Sequence, residues 1–330
     1  MKVCVYGAGA VGGHIAARLD RGGAQVAVVA RGAYLAAIQA QGLRVETCEG
    51  PLHSRPVATS DPADLGAQDI VIVSVKAPAL AGIAAGIKPL LGPDTRVVFA
   101  LNGIPWWYMH GFAAPASDVK LASLLGASNL QETIDPERVV GAVAYTACTV
   151  TEPGVISAPN ARNRLILGRP DGQVDNPVFA LAEVLRGGGL EIELTDRIRD
   201  AVWEKLVMNL TGGSLAILTG SAMKSVLTTP AILDAAQRMT HEAAAVAAAL
   251  GCESGDVASG LKRLTGSAHK QSILQDLELG RSMEIDTILR APLELARLAG
   301  VATPTLDFVV ELAVQRARAA GLYRDSTLAP

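Results

Sequence analysis

The chain has 330 residues, 50% hydrophobic and 18% charged, with 33 glycines and 17 prolines spread along its length. That profile belongs to a folded globular protein and excludes a disordered one, and the length exceeds what a single hydrophobic core usually organises. Lys and Arg number 29 against 32 Asp and Glu, a net charge of -3 with no basic stretch, which argues against nucleic acid and acidic membrane surfaces as partners. Cys4, Cys48, Cys148 and Cys252 form no C-x-x-C pair, and His14, His53, His110, His241 and His269 show no ligand spacing. No metal is expected, and reduced thiols are the default. Apolar runs such as Ala243 to Leu250 fall short of a membrane span, and the chain opens directly on a strand with no signal peptide. A cytoplasmic location is the expectation.

The first half alternates short apolar runs with helical stretches. Val3 to Tyr6, Gln25 to Ala30, Ile70 to Val75 and Arg96 to Leu101 are each followed by a glycine, a proline or a polar turn. Near-continuous apolar runs of this length suit strands buried on both faces of a parallel sheet, hence a doubly wound α/β domain. Val140 to Thr151, Val155 to Ala158, Arg164 to Gly168 and Leu190 to Leu194 predict further strands closing that domain. Beyond Leu194 helical periodicity takes over. Thr195 or Asp196 can cap a helix through Trp203 and Lys205 to about Leu210, where Gly212-Gly213 interrupts it. Further helices are predicted over Pro230 to Leu250, Asp256 to Gly280, Glu284 to Leu298, kinked at Pro292, and Pro304 to Ala320. The boundary is placed near Thr195, giving an α/β domain over 1–195 and an all-helical one over 196–330.

Gly7-Ala8-Gly9-Ala10-Val11-Gly12-Gly13 stands between the first strand and the first helix. In that context G-x-G-x-x-G binds a dinucleotide. Gly7 makes the tight turn, Gly9 lets backbone approach the pyrophosphate, Gly12 lets helix pack on strand, and the helix N-terminus attracts the phosphate charge. The second strand runs through Val28-Val29-Ala30 into Arg31 with no acid in reach of a ribose 2′-hydroxyl. Arginine there favours a 2′-phosphate, so the cofactor is read as NADPH.

Lys76 and Asn102 fall at the carboxyl ends of two predicted parallel strands, the edge at which such sheets bind ligands. They can hold ribose, nicotinamide or a substrate carboxylate, or else a snorkelling lysine caps the sheet and an asparagine forms a turn. Lys205 and Asn209, four apart, share a face of their predicted helix. A buried ammonium facing a reacting carbonyl stabilises the developing alkoxide and donates its proton. Ser272 and Glu284 could clamp a hydroxy acid, although spacing alone reads them as an N-cap and a solvated acid. Trp106-Trp107-Tyr108 is either a wall over the substrate or a core loop.

Together, Gly7-x-Gly9-Ala10-x-Gly12, Arg31, Val75-Lys76-Ala77, Asn102-Gly103, Glu204-Lys205-x-x-x-Asn209, Ser272-x-Leu274-Gln275-Asp276 and Glu284-Ile285-Asp286 resemble the ketopantoate reductase, or 2-dehydropantoate 2-reductase, family over nearly the whole chain. The resemblance implies an N-terminal Rossmann domain, a helical C-terminal domain, and NADPH-dependent reduction of 2-dehydropantoate to pantoate on the way to coenzyme A. It also implies Lys205 as general acid and Glu284 orienting the substrate hydroxyl. Asn209 and Ser272 would contact substrate, with Lys76 and Asn102 between nicotinamide and substrate. The chain departs from the family at Gly213, where a second asparagine is expected, and at Leu289-Arg290, where asparagine-glycine is expected. Arg290 could replace one lost contact by pairing a substrate carboxylate, so a 2-oxo acid is expected while ketopantoate itself stays open. Two alternatives stand beside this reading: a related 2- or 3-hydroxy acid dehydrogenase, and a nucleotide-binding sensor that has lost chemistry. The apolar helical half could support a homodimer as readily as an internal core.

Overall fold

In the computed structural model, residues 1–111, 119–126, 130–161 and 163–324 are described. Contacts divide the chain into two compact units: Met1–Leu101 with Asn129–Ile198, and Asn102–Ser128 with Arg199–Pro330. A single cut near Thr195 does not describe this division, because the segment from Asn102 groups with the helical residues.

The first unit opens with β1 (Lys2–Tyr6), α1 (Ala10–Arg21), β2 (Gln25–Val29) and α2 (Gly32–Gln41), followed by β3 (Leu43–Thr47), β4 (Gly50–Ser54) and β5 (Val57–Thr59). It continues with β6 (Gln68–Val73), α3 (Ile83–Ile87) and β7 (Leu91–Ala100). After α4 (Val119–Leu124), which belongs to the second unit, come β8 (Val139–Tyr145), β9 (Thr149–Glu152), β10 (Val155–Ala158), β11 (Arg164–Gly168), α5 (Asn176–Gly187) and β12 (Glu191–Leu194). Eight strands form one sheet in the order β12-β11-β8-β7-β6-β1-β2-β5. Every pairing in it is parallel except β8 with β11.

Strand residues buried on both faces are what make this sheet. Val3, Val5, Ile70, Ile72 and Val98 pack with Ile15, Ala16 and Leu19 of α1 and with Val178, Leu181 and Leu185 of α5, while Cys4, Val71, Val73, Val97 and Phe99 are buried as well. The parallel order and the crossovers are those of a Rossmann-type domain. The predicted strand Val140 to Thr151 is in fact two strands in different sheets. β8 joins the large sheet, whereas β9 pairs with β10 in a four-stranded sheet of order β4-β3-β10-β9. The hairpin β3–β4, for which no strand was expected, completes that second sheet. Leu43 and Val45 are buried while Arg44 is exposed, the alternation of a strand with one covered face.

The second unit contains α6 (Ile198–Thr219, assigned to this unit from Arg199), α7 (Met223–Val226), α8 (Pro230–Ala249), α9 (Val257–Gly266), α10 (Ser272–Glu278), α11 (Ala291–Leu298) and α12 (Pro304–Ala319), with a π-helical turn at Asp286–Arg290. Three expectations are corrected. α6 runs unbroken through Gly212-Gly213, because these glycines let neighbours approach. A Cβ on Gly212 would stand 3.0 Å from Leu264 Cδ1, and one on Gly213 3.2 Å from Ile273 Cγ2. Packing therefore outweighs the roughly 1 kcal/mol helix penalty of each glycine. The stretch from Asp256 to Gly280 is two helices, α9 capped by the Asp256 side chain on the Ser259 N–H, and α10 beginning at Ser272. The predicted helix from Glu284 is divided into the π turn and α11, which follow one another without a break, and Pro292, which has no N–H to donate back into the turn, stands just after the irregularity.

Candidate active site

The first cluster lies in the α/β unit, between β1 and α1. Gly7 has φ +104°, a conformation that side chains rarely adopt, and a Cβ there would come within 2.7 Å of Val75 Cγ1. Its carbonyl accepts from Ser74 Oγ at 2.7 Å. A Cβ on Gly12 would fall 2.1 Å from both the Gly7 oxygen and Ser74 Oγ, so α1 can enter at this depth only with glycine there. Gly9 differs, since nothing stands within 4 Å of its Cβ position. The open backbone at Gly9, the N-cap of α1, and the absence of acids from the first turn of that helix fit an anionic ligand. A cavity of about 310 Å³ continues from this loop past Ala30 and Arg31, with Tyr6, Tyr34 and Ile83 among its walls.

Arg31 is exposed and extended at the N-cap of α2, and it lines this cavity together with Tyr6. Burial raises the Tyr6 hydroxyl above the usual tyrosine value, with Arg31 opposing the shift. Ala8 is buried at the base of the loop, and Ala10 and Val11 begin α1. Lys76 follows β6 half-buried, at the N-cap of a short 3-10 turn. These residues fit a nicotinamide dinucleotide. The motif was legible in the sequence, whereas Tyr6 and Tyr34 were not, because only the fold brings a strand end and a helix together.

The second cluster lies in the helical unit and is built around the start of α6. Arg199 donates to the carbonyls of Tyr108, at 3.0 Å, and of His110. One turn on, Trp203 Nε1 donates to the Tyr108 hydroxyl at 2.6 Å. Burial pushes the hydroxyl of Tyr108 up, keeping it neutral as an acceptor. Trp106, Trp107 and Tyr108 are all core residues, each at most 1% exposed. The bonds from Arg199 and Trp203 to Tyr108 fix the rotation of α6 and so present Lys205, two residues past Trp203, to the segment beginning at Asn102.

There Lys205 Nζ donates to Asn102 Oδ1 at 2.8 Å, and Asn102 Nδ2 donates to Glu284 Oε2 at 3.3 Å. The amide thus bridges an ammonium and a carboxylate that is 8% exposed. Burial brings the Lys205 ammonium down from 10.5 to about 8, and the Glu284 charge partly offsets that effect. The group remains mostly protonated at neutrality, yet gives up its proton far more readily than an exposed lysine. Such an arrangement can deliver a proton to a developing oxyanion.

Asn209 follows one turn later on α6, half-buried, and Ser272 is the exposed first residue of α10; neither side chain makes a hydrogen bond among the described residues. Gly213 and the fully buried Leu289 offer no polar group. Arg290 does not join the Lys205 cluster. Its guanidinium donates to the Tyr323 hydroxyl at 3.3 Å and lines a separate cavity of about 420 Å³ with Lys120, Glu294, Arg297 and Asp307. Arg290 is the last residue of the π turn. Among the described residues no group of His, Cys, Asp and Glu could hold a metal ion, and no helix is long and apolar enough to cross a membrane.

A Rossmann-type unit with a dinucleotide loop, joined to a helical unit carrying a lysine–asparagine–glutamate cluster, defines a nicotinamide-dependent oxidoreductase. Residues 3–110 match the family Ketopantoate reductase PanE/ApbA, and residues 197–317 match its C-terminal counterpart. A 2-dehydropantoate 2-reductase of Mesorhizobium japonicum is 39% identical over 98% of this chain and 100% of its own length. Two solved structures are similar. A candidate ketopantoate reductase from Ralstonia solanacearum MolK2 has a TM-score of 0.88 at 36% identity, covering 97% of this chain and 99% of that one. A 2-dehydropantoate 2-reductase from Geobacter metallireducens GS-15 has a TM-score of 0.84 at 27% identity, covering 96% and 99%. The chain belongs to the ketopantoate reductase family.

Proposed function

We propose that the protein reduces 2-dehydropantoate to pantoate with NADPH. The observation that carries this reading is the chain of hydrogen bonds from Lys205 through Asn102 to Glu284 in a member of this family. The α/β unit would hold the cofactor through the Gly7–Gly12 loop, with Arg31 binding a 2′-phosphate and Lys76 serving the nicotinamide end, and Asn102 of the helical unit would serve nicotinamide and substrate. The bound cofactor would supply the hydride that reaches the C2 carbonyl carbon. Lys205 donates its Nζ proton to the carbonyl oxygen as the C–O double bond becomes a single bond, and water restores the proton to the lysine. Asn102 holds the ammonium in line, and Glu284 accepts a hydrogen bond from the substrate hydroxyl. Asn209 and Ser272, with no partners of their own among the described residues, are available to the substrate.

The placement of Arg290 favours a second reading, in which the same chemistry acts on another 2-oxo acid. With Gly213 and Leu289 apolar and Arg290 committed to Tyr323, the pocket offers fewer polar partners than the family pattern. Each polar group of the substrate left unpaired costs about 1–3 kcal/mol. The deciding experiment measures kcat/KM with NADPH for 2-dehydropantoate beside a panel of 2-oxo acids. A preference for 2-dehydropantoate supports the first reading, preference for another acid supports the second, and no turnover of any rejects both.

A further inference from the structure

The π turn at Asp286–Arg290 is the meeting point of the groups around Lys205. Glu284 lies two residues before it, and the Glu284 carbonyl accepts from the Ile288 N–H at 3.2 Å. The Asn102 segment is braced on the same turn, since the Ile104 N–H donates to the Thr287 carbonyl at 2.8 Å. Between them Gly103, at φ +79°, comes so close that a Cβ would stand 2.4 Å from the Thr287 carbonyl oxygen. Asn102 and Glu284 are therefore spaced by one element, and whatever fixes that element fixes their hydrogen bond.

π turns are rarely self-supporting, because their wide ring leaves gaps in the helical bonding. Here the support comes from residue 323, beyond the end of α12. The Tyr323 hydroxyl donates to Asp286 Oδ1 at 2.5 Å and accepts from Arg290 at 3.3 Å, so that it ties the first residue of the turn to the last. Tyr323 is 8% exposed, with the Arg318 guanidinium 5.9 Å from its ring centroid. Burial and the Asp286 carboxylate both raise the hydroxyl's pKa, so it stays a donor across the working pH range.

We propose that Tyr323 is a positioning residue for the reduction: its hydroxyl, through Asp286 and Arg290, holds the π turn that sets Glu284 and Asn102 against Lys205. This inference rests on the reading of those three residues as the reducing site. The test compares Tyr323→Phe, Asp286→Ala and the double variant with the wild-type protein. Tyr323→Phe keeps the ring and loses the bond. Misplacement of catalytic groups by a fraction of an ångström is expected to lower kcat for 2-dehydropantoate about tenfold, with KM for NADPH unchanged. Both single variants cut the bond between Tyr323 and Asp286, and Tyr323→Phe also removes the one from Arg290, so the double variant should lose no more than the worse single one.

A second readout needs no turnover: the titration of Lys205, followed by NMR on protein with 13C at the lysine ε position. If Glu284 recedes, the ammonium loses the charge that offsets its burial, and it should titrate below the wild-type value of about 8 in each variant. Wild-type kcat and wild-type Lys205 titration in Tyr323→Phe would overturn the proposal, as would losses that add fully in the double variant. Failure of the wild-type protein to reduce 2-dehydropantoate would defeat the functional reading alone, leaving the titration to decide the role of Tyr323.

Discussion

Replacing Lys205 by methionine should make the protein much less active and no less stable. The lysine is brought from 10.5 to about 8 by burial. At about 1.4 kcal/mol per decade the folded protein carries roughly 3 kcal/mol against its ammonium form. The folded value lies below the unfolded one, so this penalty is full below about pH 8 and disappears as the pH climbs toward 10.5. Methionine keeps the packed stem and removes the charge. Against that gain, Asn102 Oδ1 loses the donor it now has at 2.8 Å, a cost of about 1–3 kcal/mol. The balance at pH 7 lies between about zero and about 2 kcal/mol in favour of the variant, visible in thermal melts as an unchanged or raised Tm. At pH 10, where the wild-type lysine is already largely neutral, the advantage should vanish or reverse. Turnover at pH 7 should drop by roughly 10²–10⁴, the worth of a positioned general acid, or about 3–5 kcal/mol of barrier. Turnover within threefold of wild type would refute the role of Lys205, and a large fall in Tm at pH 7 would refute the account of its burial.

Three further outcomes are expected. Arg31→Ala should raise the Kd for NADPH by about 10- to 100-fold and that for NADH by less than threefold, since the lost group would bind only the 2′-phosphate; equal weakening of both would remove that assignment. Gly9→Ala should leave Tm unchanged, having open space at its Cβ, yet weaken cofactor binding at least tenfold by blocking the approach to the backbone, as titration calorimetry would show. Gly12→Ala should instead lower Tm by several degrees, its Cβ meeting the Gly7 oxygen and Ser74; the opposite ranking of these two variants in Tm would contradict the loop geometry.

The parts of the fold that the sequence made legible are those governed by local rules. Apolar runs on both faces announced β1, β2, β6 and β7, and a glycine pattern with a defined job at each position announced the loop. Elements held by distant partners stayed hidden. The β3–β4 hairpin is short and joins β10 from far along the chain, so nothing near it in sequence marks its sheet. Gly212-Gly213 read as a break because propensity is local, while the reason for glycine there lies on Leu264 and Ile273. At the site, Lys205 and Asn209 share a helix face and could be found by spacing. The bridge through Asn102 joins residues 103 and 182 positions apart and needs the fold to appear. The bond from Arg290 to Tyr323 was hidden for the same reason, since a π turn leaves no mark in the residue pattern.

The pH dependence of kcat/KM for NADPH-driven reduction of 2-dehydropantoate by the wild-type protein tests the central claim most directly. A lysine that titrates at about 8 and must be protonated to act predicts a rate that is level through pH 7, bends near pH 8 and then falls tenfold for each further pH unit. A rate that stays level to pH 10, or that rises through this range, would contradict proton donation by Lys205.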